Sequence, residues 1–282
     1  MENNDILEEI LKTKKSLYNE IKIRLEESKG ESKFGIDMVS PFLNKLKPNS
    51  NILEIGSGPC LLLSKITENH PELNINGIEP IGEGFELSDI ILKIIKQKQK
   101  KINLFKGKFE DYDEKKKFDL IFSINVLEHV ENWSAYFNFL KKFLSRNGTA
   151  LIYCPNYGFP YDCHFRIPML INKKVTYKLF KNRIEKIEKR NNYMGLWKSI
   201  NCVNYKQIKN YCSKINLNVV NHPEINTFLL ERLDLDEEFR KRQNVFRLPG
   251  KLFRKIGMLE IIYKMKWFHN YLPYMFLEIR KF

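Results

Sequence analysis

The sequence predicts an α/β fold built on a mostly parallel sheet of seven strands. From residue 51 to residue 155, short apolar segments alternate with segments whose apolar residues recur at helical spacing. This is the pattern of parallel strands joined by crossover helices. One short segment, Phe118–Ile124, is apolar at nearly every position, as expected of a strand that is buried on both faces. Ligands on such sheets bind at the carboxyl ends of the strands, so the residues that follow each strand are the candidates for function.

Helices separate the predicted strands. Strands are predicted at 51–55, 73–78, 102–105, 118–124, 149–154, 217–220 and 274–281. Apolar periodicity predicts helices at 5–27, 34–47, 87–95, 136–144, 173–190 and 204–216. One more helix is predicted to have Pro59 in its first turn, Asn147-Gly148 is predicted to end the helix before the fifth strand, and Asn204 is predicted to cap the helix that follows it.

Two segments, 156–200 and 226–270, interrupt the alternation and are predicted to be helical insertions. The predicted organisation is an N-terminal helical cap over 1–33, a cofactor-binding core over 34–156, an insertion on the substrate side over 157–203, and the end of the sheet over 204–282. The last part contains the second insertion.

The composition indicates a globular intracellular protein. With 43% hydrophobic residues among 282, the chain can bury a substantial core. No apolar run approaches the roughly 18 residues that a membrane span needs, and the acidic start MENNDILEEI does not have the pattern of a signal peptide. Five cysteines without a C-x-x-C pair indicate neither a disulfide framework nor a zinc site. We therefore expect a cytoplasmic protein.

The net charge of +14 is confined to the last part of the chain. Residues 171–282 contain 24 Lys or Arg against 10 Asp or Glu, whereas residues 1–170 contain 24 of each. A basic region favours an anionic partner, which could be a phosphorylated substrate, a membrane surface or a nucleic acid. A general bias of the sequence towards lysine explains the same charge without any partner.

The most specific motif lies at 51–60, where the first predicted strand leads through two glycines into a helix. Gly56 and Gly58 allow a tight turn and a close approach of a ligand to the backbone, and the helix start supplies free N–H groups. Such a loop can hold the pyrophosphate of a dinucleotide or the amino-acid end of S-adenosylmethionine, or it can simply join a strand to a helix. A dinucleotide fingerprint starting at Gly56 requires Gly or Ala at position 61, where this chain has Leu61. The Glu54 carboxylate can face a positively charged amino group, which favours S-adenosylmethionine. The predicted cofactor contacts here are Glu54, Gly56, Ser57 and Gly58.

Residues after the next three strands extend this predicted cofactor site. Glu79, at the end of the second strand, can accept hydrogen bonds from both hydroxyls of a ribose. The group Lys108, Phe109 and Glu110 follows the third strand, where it could reach the adenine edge; a charged surface turn is the alternative. Asn125 follows the fourth strand and is predicted to lie beside the cofactor.

Taken together, these motifs resemble the class I S-adenosylmethionine-dependent methyltransferases. The resemblance rests on Glu54-x-Gly56-x-Gly58, Glu79, Leu127-Glu128-His129, and Asn147-Gly148 followed by Pro155-Asn156. It covers 34–156 well and 200–222 loosely, and the nearest branch contains the ubiquinone-biosynthesis O-methyltransferases. The resemblance implies a Rossmann-like sheet with an antiparallel last strand, and transfer of a methyl group from S-adenosyl-L-methionine.

Three residues depart from the pattern of that family. Cys60 stands where a third glycine is common, and Lys108 stands near a position that is often Asp. Members of the ubiquinone branch can hold a divalent metal with an acidic residue three positions before the Glu-His pair. This chain has Asn125 there, so no metal is predicted.

The catalytic and substrate contacts are predicted from the same edge of the sheet. His129 is the first candidate for a general base, because an ordinary histidine pKa of about 6.5 suits proton transfer from a hydroxyl. In the loop after the fifth strand, His164 is a second base candidate, and Tyr157 and Arg166 are predicted to contact the substrate. For each of them, a role in packing is the alternative.

The predicted acceptor is a small molecule, a glycan or a lipid-linked compound that is methylated at oxygen. The segment 240–272 mixes basic and aromatic residues, which favours peripheral contact with an anionic membrane on its cytoplasmic side; a helical lid packed on its own core is the alternative. Nucleic-acid methylation is disfavoured, because strand four ends in Asn125-Val126-Leu127-Glu128 rather than in the Asn/Asp-Pro-Pro-Tyr set of base-amino methylases. A non-catalytic binding protein on the same fold is the remaining alternative.

Overall fold

The computed structural model describes residues 18–80, 86–191, 194–243 and 247–282. Its central element is a seven-stranded sheet in the order β3–β2–β1–β4–β5–β9–β8. The strands are β1 Asn51–Ile55, β2 Asn74–Glu79, β3 Asn103–Lys106, β4 Phe118–Ile124, β5 Leu144–Pro155, β8 Leu217–Asn221 and β9 Tyr274–Lys281. A separate two-stranded hairpin consists of β6 Tyr161–Asp162 and β7 Ile167–Pro168.

Strand pairing confirms the predicted α/β fold with a mostly parallel sheet. β1 pairs in parallel with β2 on one side and with β4 on the other, and β2 pairs in parallel with β3. The last two strands along the chain, β8 and β9, pair antiparallel. The predicted strand positions agree with the observed ones within one residue, except at β5, which begins five residues earlier than predicted.

Helices connect the strands and form the two insertions. They are α1 Tyr18–Leu43, α2 Leu61–Asn69, α3 Glu86–Lys98, α4 Trp133–Phe143, α5 Lys173–Asn191, α6 Leu196–Ser199, α7 Tyr205–Lys214, α8 Ile225–Leu235, α9 Glu237–Gln243, α10 Arg247–Lys255 and α11 Met258–Lys264. Both predicted insertions therefore contain helices, and the first also contains the hairpin of β6 and β7. Among the described residues, no helix is long and apolar enough to span a membrane.

The two helices predicted at 5–27 and 34–47 form a single helix, α1, over the part that the structure describes. Residues 5–17 of the prediction lie outside the described residues. Between the two predicted helices, Ser28 and Ser32 are buried, so packing overrides their weak helix propensity. At Gly35, an added Cβ would lie 2.6 Å from the side chain of Leu62, which shows how closely α1 approaches α2.

Two predicted helix ends were wrong. Pro59 lies before α2 rather than in its first turn, because Cys60 precedes the helix in a left-handed conformation with φ 61°. Asn147-Gly148 does not cap α4, which ends at Phe143; both residues belong to β5. Gly148 instead allows β5 to pass close to the start of β4, since a Cβ at this position would lie 2.7 Å from the carbonyl oxygen of Phe118. The predicted cap Asn204 is confirmed, because its side chain accepts a hydrogen bond from the Gln207 amide in a capping box.

The chain forms two compact units. The first consists of Met1–Ile124 and Phe139–Leu151, and the second of Asn125–Asn138 and Ile152–Phe282. Neither unit is continuous along the chain, whereas the predicted divisions at 33/34, 156/157 and 203/204 followed sequence order. The second unit has an apolar cluster of its own, formed by Phe165, Ile167, Ile184, Trp197 and Ile200.

Candidate functional site

The glycine loop of the first unit is held in left-handed backbone conformations. Gly56 has φ 73°, Gly58 has φ 51° and Cys60 has φ 61°. The amides of Gly56 and Ser57 donate hydrogen bonds of 2.8 and 3.2 Å to the carbonyl oxygen of Ile78, which fastens the loop to the end of β2. An added Cβ at Gly58 would meet no atom within 4 Å, so the backbone faces open space there.

Cys60 adopts the conformation of the glycine that is common in the related family. Its side chain is fully buried, and its Sγ lies 3.5 Å from Ser57 Oγ. Burial raises the pKa of the Cys60 thiol to about 12, so it remains an uncharged packing group. The loop therefore has, at Cys60, the left-handed turn that a third glycine would adopt.

Two acidic side chains flank the loop. The Gly58 amide donates a 2.7 Å hydrogen bond to Glu79 Oε2, so Glu79 holds the loop in place. Glu54 is 5% exposed, and its Oε2 atom has no hydrogen-bond partner among the described residues. Burial, and secondly the charge of Glu79, raise the pKa of Glu54 well above its usual value. A buried carboxylate in this state is suited to a cationic ligand, and the amino end of S-adenosylmethionine fits it.

A cleft of about 800 Å³ adjoins the end of β2 in the first unit. Its lining consists of Pro80, Asp89, Lys93, Lys106, Gly107, Lys108, Glu110 and Asp111. The predicted adenine group is therefore divided. Lys108 and Glu110 face the cleft, whereas the Phe109 ring is buried and packs edge-on against Phe139 at 5.5 Å between ring centroids. A contact from Phe109 to a ligand in the cleft would have to come from its backbone.

In the second unit, the surroundings of His129 determine which ring nitrogen is free. The His129 Nδ1 atom lies 3.0 Å from Ser199 Oγ, and the Ser199 hydroxyl donates its own proton to the Leu196 carbonyl at 2.8 Å. Because a serine hydroxyl has a single proton, it must accept the second hydrogen bond, which assigns the His129 proton to Nδ1. The Nε2 atom is then the acceptor, 3.9 Å from Glu128 Oε1.

His164 is held by the neighbouring hairpin. Its Nδ1 atom lies 3.5 Å from Asp162 Oδ2 and 3.7 Å from Cys163 Sγ. Asp162 is fully buried and accepts hydrogen bonds from the Tyr157 hydroxyl at 2.8 Å and from the Phe165 amide at 2.7 Å. The predicted substrate residue Tyr157 therefore uses its hydroxyl to hold Asp162.

The two histidines have opposite electrostatic environments, although their ring centroids are only 5.1 Å apart. Burial, and secondly the nearby charge of His164, lower the pKa of His129 to about 3. Burial opposes a charge on His164 as well, but Cys163 and Asp162 outweigh it, and the pKa of His164 is raised well above its usual value. The surroundings of His129 therefore favour its neutral form, and those of His164 favour the imidazolium.

Ligand atoms of Glu128, His129 and His164 lie within 4.8 Å of one another, which is close enough to surround a metal ion. An ion there would need His164 as a neutral imidazole, because only that form has a lone pair to offer. The absence of a metal, expected from Asn125, stays a prediction.

The remaining predicted residues have exposed side chains. Asn125 and Arg166 both adopt left-handed conformations, each with φ 54°. The Asn125 amide donates a 2.8 Å hydrogen bond to the Tyr153 carbonyl, so its backbone is anchored while its side chain faces solvent.

Two asparagines that were not predicted from the sequence hold backbone segments of the second unit in place. Asn201 Nδ2 donates hydrogen bonds of 2.7 and 2.8 Å to the carbonyls of Leu127 and Val130, on either side of His129. Asn156 is buried, and its side-chain amide donates to the carbonyls of His269 and Leu272. No local pattern could reveal these roles, because the partners lie more than 70 positions away in the sequence.

Comparison with known proteins assigns the family. A family model described as a methyltransferase domain matches residues 31–222. An uncharacterised protein of Mycobacterium tuberculosis is 31% identical over 218 residues, which are 76% of this chain and 73% of that protein. The malonyl-[acyl-carrier protein] O-methyltransferase 2 of Ilyobacter polytropus is 30% identical over 118 residues, 41% of this chain and 43% of that protein.

A solved structure of similar fold is the phosphoethanolamine N-methyltransferase 2 of Haemonchus contortus in complex with S-adenosyl-L-methionine. It is 16% identical, with a TM-score of 0.50, over 86% of this chain. This chain spans half the length of that protein. The family match covers most of the chain and agrees with the fold and the glycine loop. The chain therefore belongs to the class I S-adenosylmethionine-dependent methyltransferases, and its cofactor is S-adenosyl-L-methionine.

Proposed function

We propose that this enzyme methylates an oxygen atom of a small-molecule, glycan or lipid-linked acceptor. The observation that carries the proposal is the histidine pair, in which His129, whose surroundings favour the neutral ring, lies beside His164, whose surroundings favour the imidazolium. An imidazolium stabilises an oxygen that is, or becomes, negatively charged. It repels an ammonium group, which is the form of most amine acceptors at neutral pH. The pair therefore favours oxygen over nitrogen, and among oxygens it favours those that ionise, such as carboxylates and phenolates.

The proposed cofactor contacts lie in the first unit. Glu54 faces the amino group, because it is a buried carboxylate whose Oε2 has no protein partner. The backbone of Gly56, Ser57 and Gly58 surrounds the amino-acid end, and Glu79 binds the ribose with the oxygen that Gly58 does not use. Lys108 and Glu110 face the adenine in the adjoining cleft.

The proposed mechanism is a direct displacement. The bound cofactor supplies an electrophilic methyl group on a sulfonium. A hydroxyl acceptor would donate a hydrogen bond to His129 Nε2, which orients its lone pair, and would pass its proton there, whereas an acceptor that is already ionised would be held by the charge of His164. In either case the bond from oxygen to the methyl carbon would form as the bond from that carbon to sulfur breaks. An acceptor that is already ionised needs no base, which is consistent with the weak basicity of His129. Orientation of this kind can lower a barrier by roughly 7–11 kcal/mol.

Two relatives support oxygen as the methylated atom by their names. They are the malonyl-[acyl-carrier protein] O-methyltransferase mentioned above and a ubiquinone biosynthesis O-methyltransferase from Rickettsia conorii, which is 28% identical over 101 residues. The malonyl group of the first carries a carboxylate, the kind of acceptor that the charged His164 favours.

The test is a screen of acceptors with the cofactor product, S-adenosylhomocysteine, as the readout. Carboxylate-, phenol-, alcohol- and amine-bearing compounds are compared with the wild-type chain and with His164→Gln. We expect turnover with oxygen acceptors, strongest for those that ionise, and a loss of roughly 100-fold in kcat/KM in the variant with cofactor affinity unchanged. His70→Gln, which replaces a histidine of the first unit, is the matched control. Turnover confined to amines, or a His164→Gln variant as active as the control, would overturn the proposal.

A further inference from the structure

Helix α10 faces its own protein with its charged side and solvent with its apolar side. Leu248, Leu252 and Ile256 recur every four residues, and their exposed fractions are 79%, 57% and 55%. In α10 itself, Arg247–Lys255, no described residue is buried. An amphipathic helix on a globular core normally has the reverse orientation.

Contacts with α8 account for this orientation. Arg247 and Lys251 both pair with Asp234, at 3.1 and 2.8 Å, and Arg254 pairs with Glu231 at 2.9 Å. Gly250 lies against α8 so closely that an added Cβ would be 2.1 Å from the Leu230 side chain. Arg247, Lys251 and Arg254 therefore attach α10 to α8, and its leucines are exposed to solvent.

The exposed apolar side chains continue beyond α10. Met258, Ile261 and Trp267 are 38%, 60% and 63% exposed. We call these three, together with Leu248, Leu252 and Ile256, the apolar surface. Soluble proteins seldom expose so many large apolar side chains within 20 residues unless the region binds a partner.

Unpaired lysines accompany the apolar surface. Lys255, Lys264 and Lys266 are exposed, and none of them forms an ion pair with a described residue. Glu260 is the only acidic residue between Arg247 and Tyr271. Lysines beside exposed leucine, isoleucine and tryptophan are the composition of segments that lie in the interface of an anionic bilayer, where the ammonium groups reach the lipid phosphates.

We propose that the apolar surface and these three lysines bind an anionic phospholipid membrane. A second copy of the chain fits less well, because the centres of protein interfaces are depleted in lysine and two chains of net charge +14 repel each other. The proposal concerns where the enzyme acts and does not depend on the identity of the acceptor.

The experiment is sedimentation of the full chain with vesicles of phosphatidylcholine alone or of phosphatidylcholine mixed with phosphatidylglycerol. We expect binding to the mixed vesicles at low salt, weaker binding at high salt, and no binding to phosphatidylcholine alone. The triple variant L248S/L252S/I256S should reduce binding at least tenfold, as should K255Q/K264Q/K266Q. Because the replaced side chains are exposed, both variants should keep their circular dichroism and their affinity for S-adenosylmethionine.

Matched controls replace equally exposed residues elsewhere. I23S/L179S/M194S removes three apolar side chains that are 63–69% exposed, and K100Q/K115Q/K141Q removes three exposed lysines; both should bind vesicles like the wild type. The fluorescence of Trp267 should shift to shorter wavelength on binding, and the shift should vanish in Trp267→Phe. No binding to the mixed vesicles, or an equal loss in the control variants, would overturn the proposal. So would a concentration-dependent dimer that L248S/L252S/I256S abolishes, since a second copy would then cover the surface.

Discussion

At the residue scale, the loop carboxylate Glu54 shows how a binding site differs from a stable core. A buried carboxylate whose Oε2 has no hydrogen-bond partner among the described residues destabilises the fold. Burial, and then the charge of Glu79, raise its pKa, so without a cation the side chain tends to take up a proton. A positively charged ligand reverses both effects. The charged form of Glu54 therefore favours cofactor binding, whereas the uncharged form favours the stability of the cofactor-free fold.

Replacing Glu54 by Gln should separate these demands. The amide keeps the shape of the side chain but removes the charge, so affinity for S-adenosylmethionine should fall by roughly 10- to 100-fold, as for the loss of a charged hydrogen bond. Without cofactor, the variant should be at least as stable as the wild type in urea. Calorimetry and equilibrium unfolding measure the two quantities. Unchanged affinity would show that Glu54 does not face the cofactor.

The His129 side chain should make stability depend on pH in a defined direction. Its pKa is about 3 in the folded state and about 6.5 in the unfolded chain. Below pH 6.5 the unfolded state binds a proton that the folded state does not, so stability falls as the pH decreases from 6.5 towards 3. The slope is up to about 1.4 kcal/mol per pH unit.

This pH dependence is measured by urea unfolding at pH 7, 6 and 5. His129→Gln should have a shallower decline than the wild type. Parallel curves for wild type and His129→Gln would contradict the assignment of a neutral His129.

At the element scale, the strand–loop–helix unit at 51–69 forms the cofactor loop at the end of β1, and the backbone conformation of a few residues shapes this loop. Three left-handed residues, Gly56, Gly58 and Cys60, turn the chain between β1 and α2. A left-handed conformation costs an ordinary residue about 1–2 kcal/mol, and at Cys60 it is maintained by burial of the side chain. α10 is a second example at this scale, because its ion pairs with α8 determine which side meets solvent.

Substitutions at Cys60 should test the strain in the loop. Cys60→Gly removes the left-handed penalty but leaves a small cavity, so the free energy of unfolding should change by less than about 1 kcal/mol. Cys60→Val places a β-branched residue in the left-handed region and should destabilise the protein by about 2 kcal/mol or more. Cys154→Val, at a buried cysteine with regular strand geometry in β5, is the control and should cost less than about 1.5 kcal/mol. Equal effects of valine at both positions would argue against strain at Cys60.

At the scale of the whole molecule, both compact units are discontinuous along the chain, and the positive charge is concentrated in residues 171–282. A ligand that binds only the folded chain adds to the total free energy of unfolding. An increase in the free energy of unfolding on addition of a compound therefore shows that the folded chain binds that compound.

S-adenosylmethionine at a hundred times its Kd should stabilise the folded chain by about 2.7 kcal/mol. NAD at the same concentration should leave the unfolding midpoint unchanged, because Leu61 replaces the small residue that a dinucleotide needs. Thermal unfolding with each compound measures the difference. An equal shift with NAD would refute the cofactor assignment made from the loop.

Local patterns predicted most of the fold. The alternation of apolar segments located the strands, because periodicity is a property of neighbouring residues. Local patterns wrongly predicted a helix cap at Asn147-Gly148 and two helices in place of α1. The true structure at both places depends on packing against residues that are distant in the sequence, Phe118 for Gly148 and Leu62 for Gly35. The burial of the Phe109 ring could not be predicted for the same reason, since its contact with Phe139 forms only on folding.

The sequence by itself determined the fold class, the glycine loop and the cofactor, because their signals lie within a few neighbouring positions such as Glu54, Gly56 and Gly58. Only the tertiary structure decided what the histidines and the basic segment can do. Ser199, 70 positions after His129, assigns the free nitrogen of that ring, and Asp162 with Cys163 gives His164 its charge. Asp234 turns the leucines of α10 outward. The physical reason is that protonation states and exposed faces depend on partners that come close only when the chain is folded.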